Sequence, residues 1–291
     1  MMKPRVGVVG AGRVGPVLAA RLSRADYPIA GVSARTDESR ARVRSLLGAV
    51  PIAQPSAVVR ESDIVVLAVP DDAMSSVVAQ IAPDVRNGQT VFHVSGRHGR
   101  AVLEPLAQLG ATTMAIHPAM TFTGTALDLT RDCVYGVTCE PESRDTAETL
   151  VAALGGTMIL IAEADRVAYH AALAHGSNHV ATVVNQAMDL LREVGAQDPG
   201  AVLRPLVTAA LDNTLSFGDE ALTGPVVRGD VETVRAHLGA IGDAAIAETY
   251  RALAAATIER SEARGALGES VARQLRDLVT SGVAPATEVA R

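Results

Sequence analysis

Ile64-Val65-Val66-Leu67-Ala68-Val69 is an unbroken apolar run. A strand without a polar side has both faces buried, which is the position of a strand in a parallel sheet covered by helices. Strand-like segments recur at Arg5–Val9, Ile29–Ala34, Asp63–Val69, Thr90–Val94, Thr112–His117, Cys133–Cys139 and Thr157–Ile161, with a weak extra one near Val50–Ile52. Helical stretches fall between them, at Val14–Ser23, Asp37–Leu47, Met74–Ile81, Ala101–Leu109 and Arg144–Leu154. This alternation predicts an α/β domain with a mostly parallel sheet.

After Ile161 the strand signal disappears. The rest is alanine-rich and helical: Ala164–Val194 stopped by Gly195, then Pro199–Ser216 opened by Asp198-Pro199. Shorter helices are expected at Val231–His237, Ala244–Ala263 and Ser270–Val279, followed by a loose tail of about ten residues. A chain of 291 residues is long for one core, and two domains are expected, 1–162 and 163–291, the second all-α.

The chain carries net charge −6 without a basic block, which argues against nucleic acid as a partner. Lys3 is the only lysine and precedes the first strand, so Schiff-base and lysine general-acid chemistry are not expected. Cys133 and Cys139 lie six residues apart in one strand, roughly 20 Å, which is beyond disulfide reach. Two thiols do not make a four-cysteine zinc site, and no metal site is expected. Reduced cysteines suit a cytoplasmic protein, and the short run Val6–Gly12 ending at Arg13 is not a signal peptide. The charge-free stretch Val167–Met188 is long enough for a bilayer but carries three histidines, two asparagines and a glutamine, so no membrane span is expected.

The first strand runs into Gly10-Ala11-Gly12-Arg13-Val14-Gly15 and then a helix. Gly10 permits the tight turn, Gly12 lets backbone approach a pyrophosphate, and Gly15 lets helix and strand pack closely; Arg13 and Val14 complete the turn. With strand before and helix after, the pattern predicts that residues 1–162 bind a dinucleotide. The second strand ends in Ser33-Ala34-Arg35-Thr36, where an NAD-specific site expects an acid for the ribose 2′-OH. Ser33 and Thr36 can hydrogen-bond to a 2′-phosphate and Arg35 can pair with it, which favours NADP; Arg35 as a plain surface residue is the competing reading, and Asp37 lies close by.

Further candidates sit at later strand ends, where ligands of parallel sheets collect. Val69-Pro70-Asp71-Asp72 can meet the nicotinamide ribose, or Asp72 can cap the following helix. Ser95 meets substrate or carboxamide, or serves a turn. His117, before Pro118, is a site residue or a polar turn residue. The long helix carries Tyr169-His170-Ala171-Ala172-Leu173-Ala174-His175-Gly176-Ser177-Asn178-His179 and is too apolar all round for a surface. At 100° per residue, Ser177 falls about 20° and Asn178 about 80° from His170, so the three share one broad face. Hydride transfer leaves negative charge on oxygen or nitrogen, and histidine is the natural proton donor near neutral pH. His170 is therefore the candidate general acid, with Asn178 orienting substrate; a satisfied core histidine is the alternative.

Taken with Ala68-Val69-Pro70-Asp71-Asp72, His93-Val94-Ser95-Gly96, Ile116-His117-Pro118, Ser177-Asn178 and Leu222-Thr223-Gly224-Pro225-Val226-Val227-Arg228-Gly229-Asp230, the glycine turn resembles the Rossmann-plus-helical oxidoreductases grouped with deazaflavin-linked NADP oxidoreductases, over nearly the whole chain. More distantly the layout is similar to ketopantoate reductases, β-hydroxyacid dehydrogenases and pyrroline-5-carboxylate reductases, with a helical domain like that of 6-phosphogluconate dehydrogenase. The lysine of those families is absent: Ala174 or His170 takes its place, depending on alignment. The resemblance implies NADPH-dependent reduction of a small, carboxylate-bearing substrate, ketopantoate being the first to test, and a homodimer formed through the helical domain. It also implies a substrate loop at Thr223-Gly224-Pro225 with Arg228 taking a carboxylate, against a plain turn with a solvated arginine. A non-catalytic NADP-binding sensor or scaffold, and hydride exchange with a deazaflavin, are the other readings.

Overall fold

The computed structural model describes residues 3–281 and divides into two compact units, Met1–Ala174 and His175–Arg291. In the first unit the chain runs β1 (Val6–Val9), α1 (Gly15–Arg24), β2 (Ile29–Ser33), α2 (Asp37–Leu47), α3 (Pro55–Arg60), β3 (Ile64–Leu67), α4 (Met74–Ile81), β4 (Thr90–His93), α5 (Glu104–Ala107), β5 (Thr112–Pro118), β6 (Val134–Thr138), α6 (Arg144–Ala153), β7 (Thr157–Leu160) and α7 (Arg166–Ala174). The strands form one sheet in the order β2-β1-β3-β4-β5-β6-β7, with only the β5–β6 pair antiparallel. The α/β class and mostly parallel sheet expected from the sequence are thus present.

The apolar run of β3 explains the layering. Ile64 and Val66 pack with Val8, Leu18, Phe92 and Met114 on one face. Val65 and Leu67 pack with Val9, Met74, Ile81 and Val91 on the other. Each such side chain taken fully from water contributes about 1.5–3 kcal/mol, so an alternating strand would lose half of that gain. The weak segment at Val50–Ile52 forms a single parallel bridge, Val32↔Ile52, beside β2. Helix α3 was not legible in the apolar pair Val58-Val59; Pro55 opens it, and both valines are buried. The stretch Ala101–Leu109 is shorter than expected: a 3₁₀ turn, Arg100–Leu103, precedes α5, whose second residue is Pro105.

The expected rod Ala164–Val194 is three segments. Helix α7 is followed by a π-helical stretch, His175–His179, and then α8 (Val180–Glu193). The domain border falls at 174/175 instead of 162, because Arg166 ties α7 to the sheet. Its guanidinium is buried and donates to Thr138 Oγ1 (2.7 Å), Ala115 O (3.0 Å) and Gly136 O (3.1 Å). Burial of the whole rod was also expected and is not seen: α8 has no buried residue.

The second unit continues with α9 (Pro199–Phe217), α10 (Val231–Ala240), α11 (Ala244–Ala263) and α12 (Glu269–Thr280). Its core is Val234, Leu238, Ile258, Ala272, Leu275 and Val279, from α10 to α12. Helix α9 buries only Pro199 and leaves Leu206 and Phe217 67% and 63% exposed. Among the described residues no helix is long and apolar enough to cross a membrane. Cys133 and Cys139 are free thiols, and burial pushes both up in pKa. The expected tail lies outside the described residues.

Candidate functional site

The chain leaves β1 through Gly10, whose φ of +107° suits glycine and whose bare face lies against Ala68: a Cβ there would sit 2.3 Å from the Ala68 carbonyl oxygen. A Cβ on Gly15 would meet the Gly10 carbonyl oxygen at 2.1 Å, so α1 begins pressed onto the turn. Gly12 differs from both: a Cβ there would meet nothing within 4 Å. Open space therefore lies over Gly12, beside a helix start that no side chain caps. Uncapped N–H groups at the positive end of α1 suit an anion.

A cavity of about 390 Å³ occupies this position, where strand order reverses between β1 and β3. Gly10, Gly12, Ser33, Arg35, Thr36, Val69 and Pro70 line it, as the sequence reading expects. Arg13, Val14, Gly15, Asp72 and Ser95 are not among its lining residues. At the end of β2 stand buried Ser33 and exposed Arg35, with no carboxylate in line before α2. Thr36 caps α2: its Oγ1 accepts from Ser39 N–H (3.2 Å), and Ser39 Oγ in turn accepts from Thr36 N–H (3.1 Å). Asp37 is exposed and faces Arg40 at 3.4 Å. The cavity has a further cation, Arg42, which the sequence reading missed. Its Nη1 donates to Ala11 O (3.1 Å) and Nη2 to Glu38 (2.6 Å), fixing it against the glycine turn. Its only sequence signal is its place in the second turn of α2. The open face of Gly12, the uncapped helix and the arginines fit a dinucleotide.

Neither aspartate after β3 caps α4: a 3₁₀ turn, Asp71–Ala73, intervenes, and no side-chain cap bond is made there. Asp72 is exposed. Ser95 is buried and holds its own loop, accepting from His98 N–H at 3.1 Å. Beneath it, His93 lies at 2.8 Å from Gly99 O through Nε2 and accepts from Ser95 N–H (3.2 Å) through Nδ1. The carbonyl can only accept, so His93 carries its proton on Nε2. Burial drives its pKa down to about 4, and the Gly99 bond offsets only part of that.

At the carboxyl end of β5, His117 Nδ1 lies 2.9 Å from Tyr169 Oη, and its ring packs edge-on against His170 with centroids 6.2 Å apart. The two imidazoles close over Gly96, where a Cβ would lie 2.7 Å from His170 Cδ2 and 2.9 Å from His117 Nε2. His117 is neutral at physiological pH, its pKa pushed down to about 4 by burial first and by the Arg166 charge second. Two expected catalytic residues, His117 and His170, are thus brought together. Sequence reasoning missed Tyr169 and Arg166 as their neighbours, although Tyr169 stands next to His170 in the chain.

Ser177 and Asn178 belong to the second unit, exposed on the π-helical stretch. A π-helix turns less per residue than 100°, so the angular argument that put them on one face with His170 does not carry through it. In the same stretch His175 Nδ1 and His179 Nδ1 are 2.9 Å apart. In the 222–230 motif, Arg228 is exposed and Asp230 caps α10, accepting from Thr233 N–H at 3.1 Å.

Residues 2–118 match the family model of a Rossmann-like domain, and residues 133–257 match that of a domain of unknown function, DUF2520. Among curated proteins, D-apionate oxidoisomerase of Cupriavidus necator is 34% identical over 92 residues, 31% of this chain. The match spans 33% of that relative's length. Among solved structures, a candidate NADP oxidoreductase of Bacteroides fragilis superposes with a TM-score of 0.76 at 20% identity, covering 89% of this chain and 99% of that one. An imine reductase of Streptomyces aurantiacus gives 0.66 at 20% identity, covering 93% and 99%. The pyrroline carboxylate reductase of Plasmodium falciparum, solved with NADP bound, gives 0.61 at 13% identity, covering 96% and 100%. At these identities the likeness is one of fold: a Rossmann-type sheet followed by helices.

Proposed function

We propose that this Rossmann-type chain is an NADPH-dependent oxidoreductase that reduces a C=O or C=N bond of a small substrate. The observation that carries the reading is the cavity over Gly12, bounded by Ser33, Arg35 and Thr36 with no carboxylate at the end of β2. An acid there would repel a 2′-phosphate; an arginine and two hydroxyls attract one. The Gly12 backbone and the start of α1 would take the pyrophosphate, Arg35 and Ser33 the 2′-phosphate, and Val69 and Pro70 the next wall. Reduced nicotinamide, when bound, supplies a hydride to carbon.

The chain's own part is the proton and the polarisation. His170 delivers the proton to the oxygen or nitrogen that accumulates charge, and His117 beside it polarises the same atom. Because His117 stays neutral at pH 7, it serves as a hydrogen-bond donor and leaves the proton transfer to His170. The substrate class is a small 2-oxo acid, ketopantoate first, or a cyclic imine; the fold shared with imine and pyrroline carboxylate reductases supports including the imines. The oxidoisomerase match adds branched sugar acids to the set. A second copy of the chain covers the apolar faces of α9.

The test is NADPH binding followed by a substrate panel of ketopantoate, other 2-oxo acids, cyclic imines, sugar acids (with NADP) and a deazaflavin. Turnover that His170→Ala reduces by roughly 100-fold or more, with NADPH affinity unchanged, supports the reading. The absence of any lysine in the site favours one alternative, a coenzyme-binding sensor; tight NADPH binding without turnover across the panel would establish it.

A further inference from the structure

Strand register puts His117 of β5 opposite Gly136 of β6. A Cβ on Gly136 would lie 2.5 Å from Tyr169 Oη, so the missing side chain is what lets the phenol of α7 reach across β6 to His117. The imidazole is then held on both sides: Nδ1 by Tyr169 at 2.9 Å, and Nε2 over the bare face of Gly96, with the His170 ring against the same face.

Which of the two partners in the 2.9 Å contact gives the proton follows from the surroundings of the phenol. The Arg166 guanidinium lies over the Tyr169 ring, 5.8 Å from its centre, and the phenol oxygen lies over the bare face of Gly136. The guanidinium favours electron density on that oxygen and cannot take a proton from it. Among the described residues the hydrogen-bond partner of the hydroxyl is His117 Nδ1, to which the phenol can give its proton. The groups around His117 are Tyr169, Arg166 and His170 of α7, His93 of β4 and Asp71 of the β3–α4 turn. Of these Arg166 is the nearest full charge in effect, and it opposes a second proton on the ring.

We infer that Tyr169 is a positioning residue, which holds His117 as the neutral Nε2–H tautomer and so sets a hydrogen-bond donor over Gly96 beside His170, at the carboxyl ends of β4 and β5. A neutral imidazole donor stabilises a developing oxyanion or amide anion without carrying a charge into the ground state. What that donor meets rests on the reductase reading; the tautomer itself does not.

The experiment is long-range ¹⁵N–¹H correlation on the full chain labelled with ¹⁵N-histidine, with His117 identified by the signal lost in His117→Gln. At pH 7 the wild type is expected to show Nε2 protonated and Nδ1 bare. In Tyr169→Phe the two tautomers are expected to mix. With any panel substrate the wild type reduces, kcat is expected to fall roughly tenfold at unchanged KM for NADPH, the worth of about one hydrogen bond. A proton on Nδ1 in the wild type, or an unaltered tautomer in Tyr169→Phe, overturns the inference. Should Tyr169→Phe not fold, the wild-type spectrum decides alone. Failure to bind NADPH would remove the reductase reading and leave the spectrum to judge the tautomer.

Discussion

His117 and Tyr169, 52 positions apart in sequence, meet at 2.9 Å over a glycine of the neighbouring strand. The pairing joins α7 to the sheet by polar contact as well as packing, because the same helix supplies Arg166, Tyr169 and His170.

Arg166→Met removes the donor that Thr138, Ala115 and Gly136 share and leaves their oxygens short of partners inside the sheet. The loss is expected to be about 2–4 kcal/mol by chemical denaturation. It also takes away the nearest positive charge, so His117 is expected to titrate at higher pH than in the wild type. A variant as stable as wild type would show that the guanidinium does not tie α7 to the sheet.

His93 and His117 both titrate near 4 in the fold against 6.5 unfolded. Between these values the unfolded chain binds protons that the folded chain refuses, so stability rises with pH. The contribution is complete above about pH 6.5 and is lost as pH falls toward about 4, on the order of 3 kcal/mol for buried His93. Urea midpoints at pH 7.5 and pH 4.5, with ring titrations by NMR, check this. Ring midpoints near 6.5 would refute the burial argument.

The glycines of the turn separate coenzyme binding from folding. Gly12→Ala faces open space and is expected to change stability by no more than about 0.5 kcal/mol while weakening NADPH binding at least tenfold. Gly10→Ala combines a φ of +107° with a contact of 2.3 Å on Ala68 O, and is expected to cost about 2 kcal/mol or more. Thermal melts and NADPH titrations on both variants give the comparison; equal melting losses would contradict it.

Helix α9 is expected to lie in a subunit interface, since Val202, Leu206, Leu215 and Phe217 are all more than half exposed in the single chain. Light scattering of the wild type is expected to give a dimer. Leu206→Glu is expected to weaken association by roughly 30-fold or more. A monomeric wild type at high concentration would remove the interface.

What was legible in the sequence was local. The apolar run at 64–69 announced a strand buried on both faces, and spacing alone placed Gly10, Gly12, Ser33 and Arg35 around one cavity. Helix α3 was missed because Val58-Val59 suits a strand as well as a helix six residues long. The π-helical stretch at 175–179 carries no composition signal, and a wheel drawn at 100° per residue does not hold across it. Contacts closed by the fold were invisible: Arg42 with Ala11, Arg166 with three sheet oxygens, and Tyr169 with His117 through the gap at Gly136. Exposure of α8 contradicted the reading in which the rod at 164–194 is too apolar to lie on a surface.

Titrating the wild-type protein with NADPH and with NADH, alongside Arg35→Ala, tests the coenzyme assignment on which the proposed activity stands. The wild type is expected to bind NADPH at least tenfold more tightly than NADH, and Arg35→Ala to lose most of that preference while its NADH affinity holds. Equal affinities in the wild type, or no binding of either coenzyme, would contradict the account.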